Sequence, residues 1–196
     1  MNVELFQMIA AMDFGALETQ LALQCAPLLT GIKMSNLFIA SKVNERELVD
    51  LFRQTSISTF FIYHSKCNNI FLLYKKEEVE AYLKCQNVKS TMELLGYHTY
   101  LLYDILNEVS IRYKGYMEDR KAFPHEIGLL LGYPIEDVLG FIENDGKNYI
   151  YTGYWKVYAN LSNAIDRFDQ YNQAKEKIVH LLSDGVSIMQ ILGHDY

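Results

Sequence analysis

Two short runs of β-forming residues, 58–64 (Ser-Thr-Phe-Phe-Ile-Tyr-His) and 69–75 (Asn-Ile-Phe-Leu-Leu-Tyr-Lys), stand either side of Ser65-Lys66-Cys67-Asn68. Apolar runs of this length around a polar four-residue turn specify a β-hairpin. Most of the remaining chain has helical spacing instead. Residues 3–24 follow the 3.6-residue period through Leu5, Met8, Ile9, Met12, Ala16, Leu17, Leu21 and Leu23, and Pro27 is expected to end that helix. A strand is predicted over 35–42 and a charged helix near 44–54. Further helices are predicted near 76–85, 87–95 and 99–114, the last burying Leu102, Ile105, Leu106, Val109 and Tyr113. A hairpin and a strand among helices, without regular βαβ alternation, predict an α+β fold. The expectation is a small, mainly antiparallel sheet covered by helices, in a single domain over residues 1–196.

The stretch 123–144 is the most organised part of the chain. Pro124 suits a first helical position, and Ile127, Leu130 and Leu131 share an apolar face. Gly132 can supply the C-cap, and Pro134 can open a second helix whose Ile135, Val138, Leu139 and Ile142 fall at i, i+3, i+4 and i+7. Asp145-Gly-Lys-Asn then makes a turn into a Tyr-rich, strand-like run over 149–158. A long helix over 161–183 ends at Asp184-Gly185, and an amphipathic tail follows at 186–193.

With half its residues hydrophobic and 21% charged, the chain is not intrinsically disordered. A net charge of −6 argues against a general nucleic-acid binder, which needs a basic face for phosphates. From Ala122 through Gly146 there is no Lys or Arg, so the paired helices there do not make a DNA-reading helix-turn-helix. The first positive charge is Lys33, so a basic start to a signal peptide is missing, and no apolar window is long enough for a membrane span. The three cysteines, Cys25, Cys67 and Cys85, form no CxxC pair and read as reduced thiols. The expected location is the cytoplasm.

Three segments carry a resemblance: Cys25-Ala-Pro-Leu-Leu-Thr-Gly-Ile-Lys-Met-Ser-Asn-Leu-Phe, Phe123-Pro-His-Glu-Ile-Gly-Leu-Leu-Leu-Gly-Tyr-Pro-Ile-Glu-Asp-Val-Leu-Gly-Phe-Ile, and Gly153-Tyr-Trp-Lys-Val-Tyr. On these the chain resembles the bacterial family known as domain of unknown function 3793, found mostly in anaerobic Firmicutes, over nearly its whole length. The resemblance implies a bacterial, single-domain protein. It implies no activity and no catalytic residues.

The residues themselves offer several constellations. Cys25, placed just past a helix end and eight residues before Lys33, could be a nucleophile if His125 served as its base. It could equally be a semi-buried Cys packed on the sheet. Glu126 is poorly placed to orient His125, since neighbours on a helix point about 100° apart, and a role in capping the helix N-terminus explains it. His125 could be a general acid/base or a metal ligand, or simply structural. The remaining histidines, His64, His98, His180 and His194, have no metal-ligand spacing, so no metal site is expected. On a strand, Tyr154, Lys156 and Tyr158 share one face and Trp155 and Val157 the other. The first face is an aromatic platform with a central cation, or an edge strand guarded by Lys156. Lys33 and Asn36 flank the first strand and could clamp a carboxylate or phosphate. GxxxxGK[ST] and GxGxxG are both absent.

The leading expectation is a protein that binds a small anionic or planar ligand, or a partner, through Lys33, Asn36, His125, Tyr154, Lys156 and Tyr158. The alternative is a thiol-dependent enzyme with Cys25 as nucleophile and His125 as base, which requires Cys25 to alkylate faster than Cys67 and Cys85. The sequence leaves the cofactor open, and no nucleic-acid or membrane partner is expected. The Tyr-rich segment and the 186–193 tail fit a homodimer interface or a core equally well.

Overall fold

In the computed structural model, which describes residues 3–41 and 45–193, the chain begins with α1 (Val3–Ala11) and α2 (Leu17–Leu29). These replace the single helix expected over 3–24. The Asp13 carboxylate accepts the Gly15 N–H at 2.8 Å, and this local turn outcompetes helix continuation, an effect the apolar period does not register. Pro27 does not end α2, which runs two residues further. A proline in the last turn forfeits one backbone bond, and the buried residues Ala22, Cys25, Ala26, Leu28 and Leu29 hold the turn in place. The Pro27 carbonyl then accepts the N–H groups of Ile32 and Lys33, at 2.8 and 2.9 Å, around Gly31 at φ 78°.

The next elements are β1 (Ser35–Ser41), α3 (Glu45–Phe52), β2 (Ile57–His64) and β3 (Asn68–Lys75). The strand order is β1-β3-β2, and β1 runs antiparallel to β3 with Phe38 opposite Phe71. As the middle strand, β3 buries Ile70, Phe71, Leu72 and Leu73 consecutively, which is why it reads as an unbroken apolar run rather than an alternation. The Gln24 side-chain amide pairs with Ile39 of β1, giving its Nε2–H to the Ile39 carbonyl and accepting the Ile39 N–H, both at 3.0 Å. Gln24 thereby occupies backbone groups that an edge strand would leave unpaired.

Residues Lys75–Phe168 form a second compact unit. It contains α4 (Lys76–Leu83), α5 (Gln86–Leu94), α6 (Leu102–Asp119), α7 (Glu126–Leu130), α8 (Ile135–Glu143), β4 (Tyr151–Thr152) and β5 (Lys156–Val157). Gly132, at φ 72°, closes α7, as the sequence predicted. Pro124 lies ahead of α7 rather than at its first position, and His125 is the N-cap. The strand expected over 149–158 is instead a tight hairpin with Tyr151 opposite Val157. The chain folds back at Gly153, where any Cβ would stand 2.4 Å from the Phe168 ring. Only glycine allows that approach.

Helix α9 (Leu161–Ser183) leaves this unit and returns to the first, where α10 (Ile188–Gly193) follows. Ala174, Ile178, Ile188 and Ile191 there join Leu21, Leu28, Phe38 and Phe71 in one apolar core. Burying each large side chain contributes about 1.5–3 kcal/mol.

Candidate functional site

Cys25 lies inside α2, not past its end as expected, and is completely buried. Asn36 Nδ2 is 3.6 Å from its sulfur and also donates to the carbonyls of Gln24 (2.8 Å) and Leu37 (2.7 Å). The buried Lys33 Nζ donates a hydrogen bond to Asn36 Oδ1 at 3.1 Å and lies 5.6 Å from the Tyr171 ring centroid. Burial pushes the Cys25 thiol up to about 12, against the opposing pull of Lys33 and of the Asn36 hydrogen bond. Burial lowers the Lys33 amine to about 8, with Cys25 pulling the other way. Three expected site residues therefore do meet, Cys25 and Lys33 buried and Asn36 half-buried. His125, the expected base, belongs to the other unit.

Around the β4–β5 hairpin, Lys156 donates to the Gly146 carbonyl at 2.7 Å and lies 4.8 Å from the Tyr149 ring centroid, so it secures the preceding turn. Tyr158 packs on Gly140, and its buried hydroxyl has no hydrogen-bond partner among the described residues. Tyr154 is exposed. Trp155 is buried, and Asp137 Oδ2 accepts its Nε1–H at 2.7 Å, while Asp137 Oδ1 accepts the backbone N–H groups of Tyr158 and Ala159 at 2.7 and 3.0 Å. Asp137 is thus a buried clasp between α8 and the hairpin.

A third set of side chains encloses a cavity of about 320 Å³ inside the second unit, between the end of α5, α6 and the loop into α7. The guanidinium of Arg112 is its deepest cation. Nε donates to Glu108 at 2.8 Å, and Nη1 donates to the Leu95 carbonyl at 2.9 Å and reaches Glu126 at 3.4 Å. Its Cζ lies 4.4 Å from the Tyr97 ring centroid. Glu126, only 2% exposed, also accepts the Tyr97 hydroxyl at 2.6 Å. Burial first, and then this hydrogen bond, raise the Tyr97 phenol. The carboxylate expected to cap α7 is therefore the acceptor of a buried network.

Lys121 reaches the cavity because of two local features. Arg120 takes the left-handed conformation (φ 55°) at the end of α6, so that the Lys121 N–H bonds the Gly115 carbonyl at 3.2 Å. Gly115 has no Cβ, and the Lys121 side chain lies across it, Cδ 2.9 Å from where a Cβ would stand. His125 completes the wall, its ring centroid 5.6 Å from Phe123 and 5.5 Å from Phe141. Burial lowers its pKa, against the pull of Glu126 and Asp145. His125 was legible in the sequence. Arg112, Lys121 and Tyr97 were not, since Arg112 reads as half of an ordinary i, i+4 pair with Glu108.

A second, more open cavity of about 510 Å³ lies in the first unit beside Met8, Met12, Glu18 and Leu182. It has no lysine, arginine or histidine in its wall, and Glu18 is bonded to the Ile188 N–H at 3.2 Å. Among the described residues, no three His, Cys, Asp or Glu side chains gather as a metal site, and no helix is long and apolar enough to cross a membrane. The family described as Protein of unknown function (DUF3793) matches residues 21–192. No curated protein and no solved structure matches the chain.

Proposed function

The chain belongs to that family, whose description assigns no activity, and we propose that it binds a small organic ligand carrying negative charge in the cavity beside Arg112, Lys121 and His125. The observation that carries this reading is the convergence of two cations and an imidazole on one largely apolar cavity. Its volume lies at the lower end of the range for small-molecule sites, roughly 300–1,000 Å³. Of the contacts expected from sequence, this reading keeps His125 and adds Arg112 and Lys121. Lys33 and Asn36 are bonded to one another, and Lys156 to the Gly146 carbonyl.

The thiol-enzyme alternative gains no support from the surroundings of Cys25. A buried thiol raised to about 12 supplies little thiolate at neutral pH. Cys67 and Cys85 are exposed, so the expected order of alkylation places Cys25 last. Rapid labelling of Cys25 would restore the enzyme reading. The binding reading is tested by native mass spectrometry of the protein isolated from a bacterial cytoplasm. The expected spectrum shows a non-covalent adduct that Lys121→Met loses. A bare wild-type chain, or an adduct indifferent to that substitution, would count against it.

A further inference from the structure

Independently of the Arg112 cavity, we infer that the open cavity of the first unit, about 510 Å³, binds a protonated primary aliphatic amine, its ammonium held by Glu18 and Thr19. Charge in and around the wall selects a cation. Among the described residues, Glu18 is the one ionisable side chain in that wall. Its Oε1 accepts the Ile188 N–H at 3.2 Å, and Oε2 makes no hydrogen bond or ion pair to the described residues. Two further carboxylates follow wall residues in sequence, Asp13 after Met12 and Asp184 after Ser183, and both are exposed. His180, in the last turn of α9, is outside the wall. The N-terminal end of α2 offsets part of the Glu18 charge, by about half a unit. The C-terminal ends of α1 and α9 counter that offset, since their last residues, Ala11 and Ser183, lie in the same wall. The space therefore faces negative charge.

Hydrogen-bond inventory narrows the cation to a primary amine. Thr19 is only 6% exposed, yet its hydroxyl has no hydrogen-bond partner among the described residues. An ammonium has three N–H donors, and Glu18 Oε2 and the Thr19 hydroxyl are two acceptors for them. A quaternary ammonium has no N–H to give, and the wall has no aromatic ring to hold it by cation–π attraction. A metal ion would find a single carboxylate and leave the apolar lining of Met8, Met12 and Leu182 uncovered. An alkyl chain on the amine covers that lining, and unbranched methionines adapt to its shape. An anion of the same shape would meet like charge.

Calorimetric titration of the full chain with hexylammonium, hexanol, hexyltrimethylammonium and hexanoate tests this inference. Hexylammonium is expected to bind, with hexanol and hexyltrimethylammonium each at least about tenfold weaker, as loss of a charge-assisted hydrogen bond implies. Hexanoate is expected to bind weakest. Glu18→Gln keeps a carbonyl for the Ile188 N–H and is expected to weaken hexylammonium by about tenfold. Glu77→Gln, which removes an exposed charge from α4 in the other unit, is expected to leave it unchanged. Thermal unfolding of each variant confirms that it folds. If hexanol or hexyltrimethylammonium matches hexylammonium, if Glu18→Gln folds and binds equally well, or if hexylammonium does not bind, the inference falls. None of these results bears on the Arg112 cavity.

Discussion

Glu126 shows how one buried carboxylate organises its surroundings. The Tyr97 hydroxyl and the Arg112 guanidinium both serve it, and Arg112 also lies on the Tyr97 ring, so the three side chains form one network. A hydrogen bond to a charged acceptor contributes roughly 1.5–3 kcal/mol. Tyr97→Phe removes such a bond at nearly constant volume and is expected to destabilise the protein by about 2 kcal/mol, read from the urea midpoint. Arg112→Ala is expected to cost more, about 3 kcal/mol, because it leaves a buried carboxylate without its counter-charge. Equal, near-zero effects would mean that Tyr97, Arg112 and Glu126 do not form one network in the folded chain.

Lys33 gives a residue-scale prediction of opposite sign to the usual surface lysine. Its folded amine titrates at about 8 and its ordinary value is 10.5. Between those values the unfolded chain holds a proton that the folded chain has released, so stability rises with pH. Cys25 acts in reverse above its ordinary 9.0, where the unfolded thiol ionises while the folded thiol, at about 12, does not. The two effects oppose each other above pH 9, so the Lys33 gain stands clear only between about pH 8 and 9. Its slope approaches about 1.4 kcal/mol per pH unit. Lys33→Met is expected to remove that rise from the urea midpoint, and an identical profile in the variant would show that Lys33 is not buried as a base.

At the scale of elements, Gly115 makes the cavity compatible with a continuous α6. Gly115→Ala is expected to stabilise the helix by up to about 1 kcal/mol through propensity alone. The new methyl would displace the Lys121 side chain, which now lies across that position. The expected outcome is a higher melting temperature with weaker ligand binding, and a variant that binds equally well would remove Lys121 from the site.

Elements with purely local causes were readable in the sequence. The β2–β3 hairpin follows from two apolar, β-forming runs around a polar four-residue turn, and Gly132 and Pro134 set the break between α7 and α8. The division of α1 from α2 rests on one side-chain bond, Asp13 to Gly15, which no hydrophobic period records. The β4–β5 hairpin depends on Phe168 lying against Gly153 across fifteen residues of sequence. The cavity is of the same kind. Tyr97, Arg112, Lys121 and Glu126 come from α6, the loops on either side of it and the start of α7, and no spacing among them announces that they meet.

For the whole molecule, the family match spans residues 21–192 and so covers residues of both compact units, whereas the proposed ligand site draws on the second alone. The Cys25, Lys33 and Asn36 cluster belongs to the first unit. A single spectrum therefore separates the candidate sites. In a two-dimensional amide NMR titration of the full chain with benzoate, the account predicts saturable shifts at Arg112 and at residues 121–123, 125 and 126, Pro124 having no N–H. Residues 33–36 and the Tyr151–Val157 hairpin should stay unmoved. Shifts gathered at either of those segments, or none at 121–126, would contradict it.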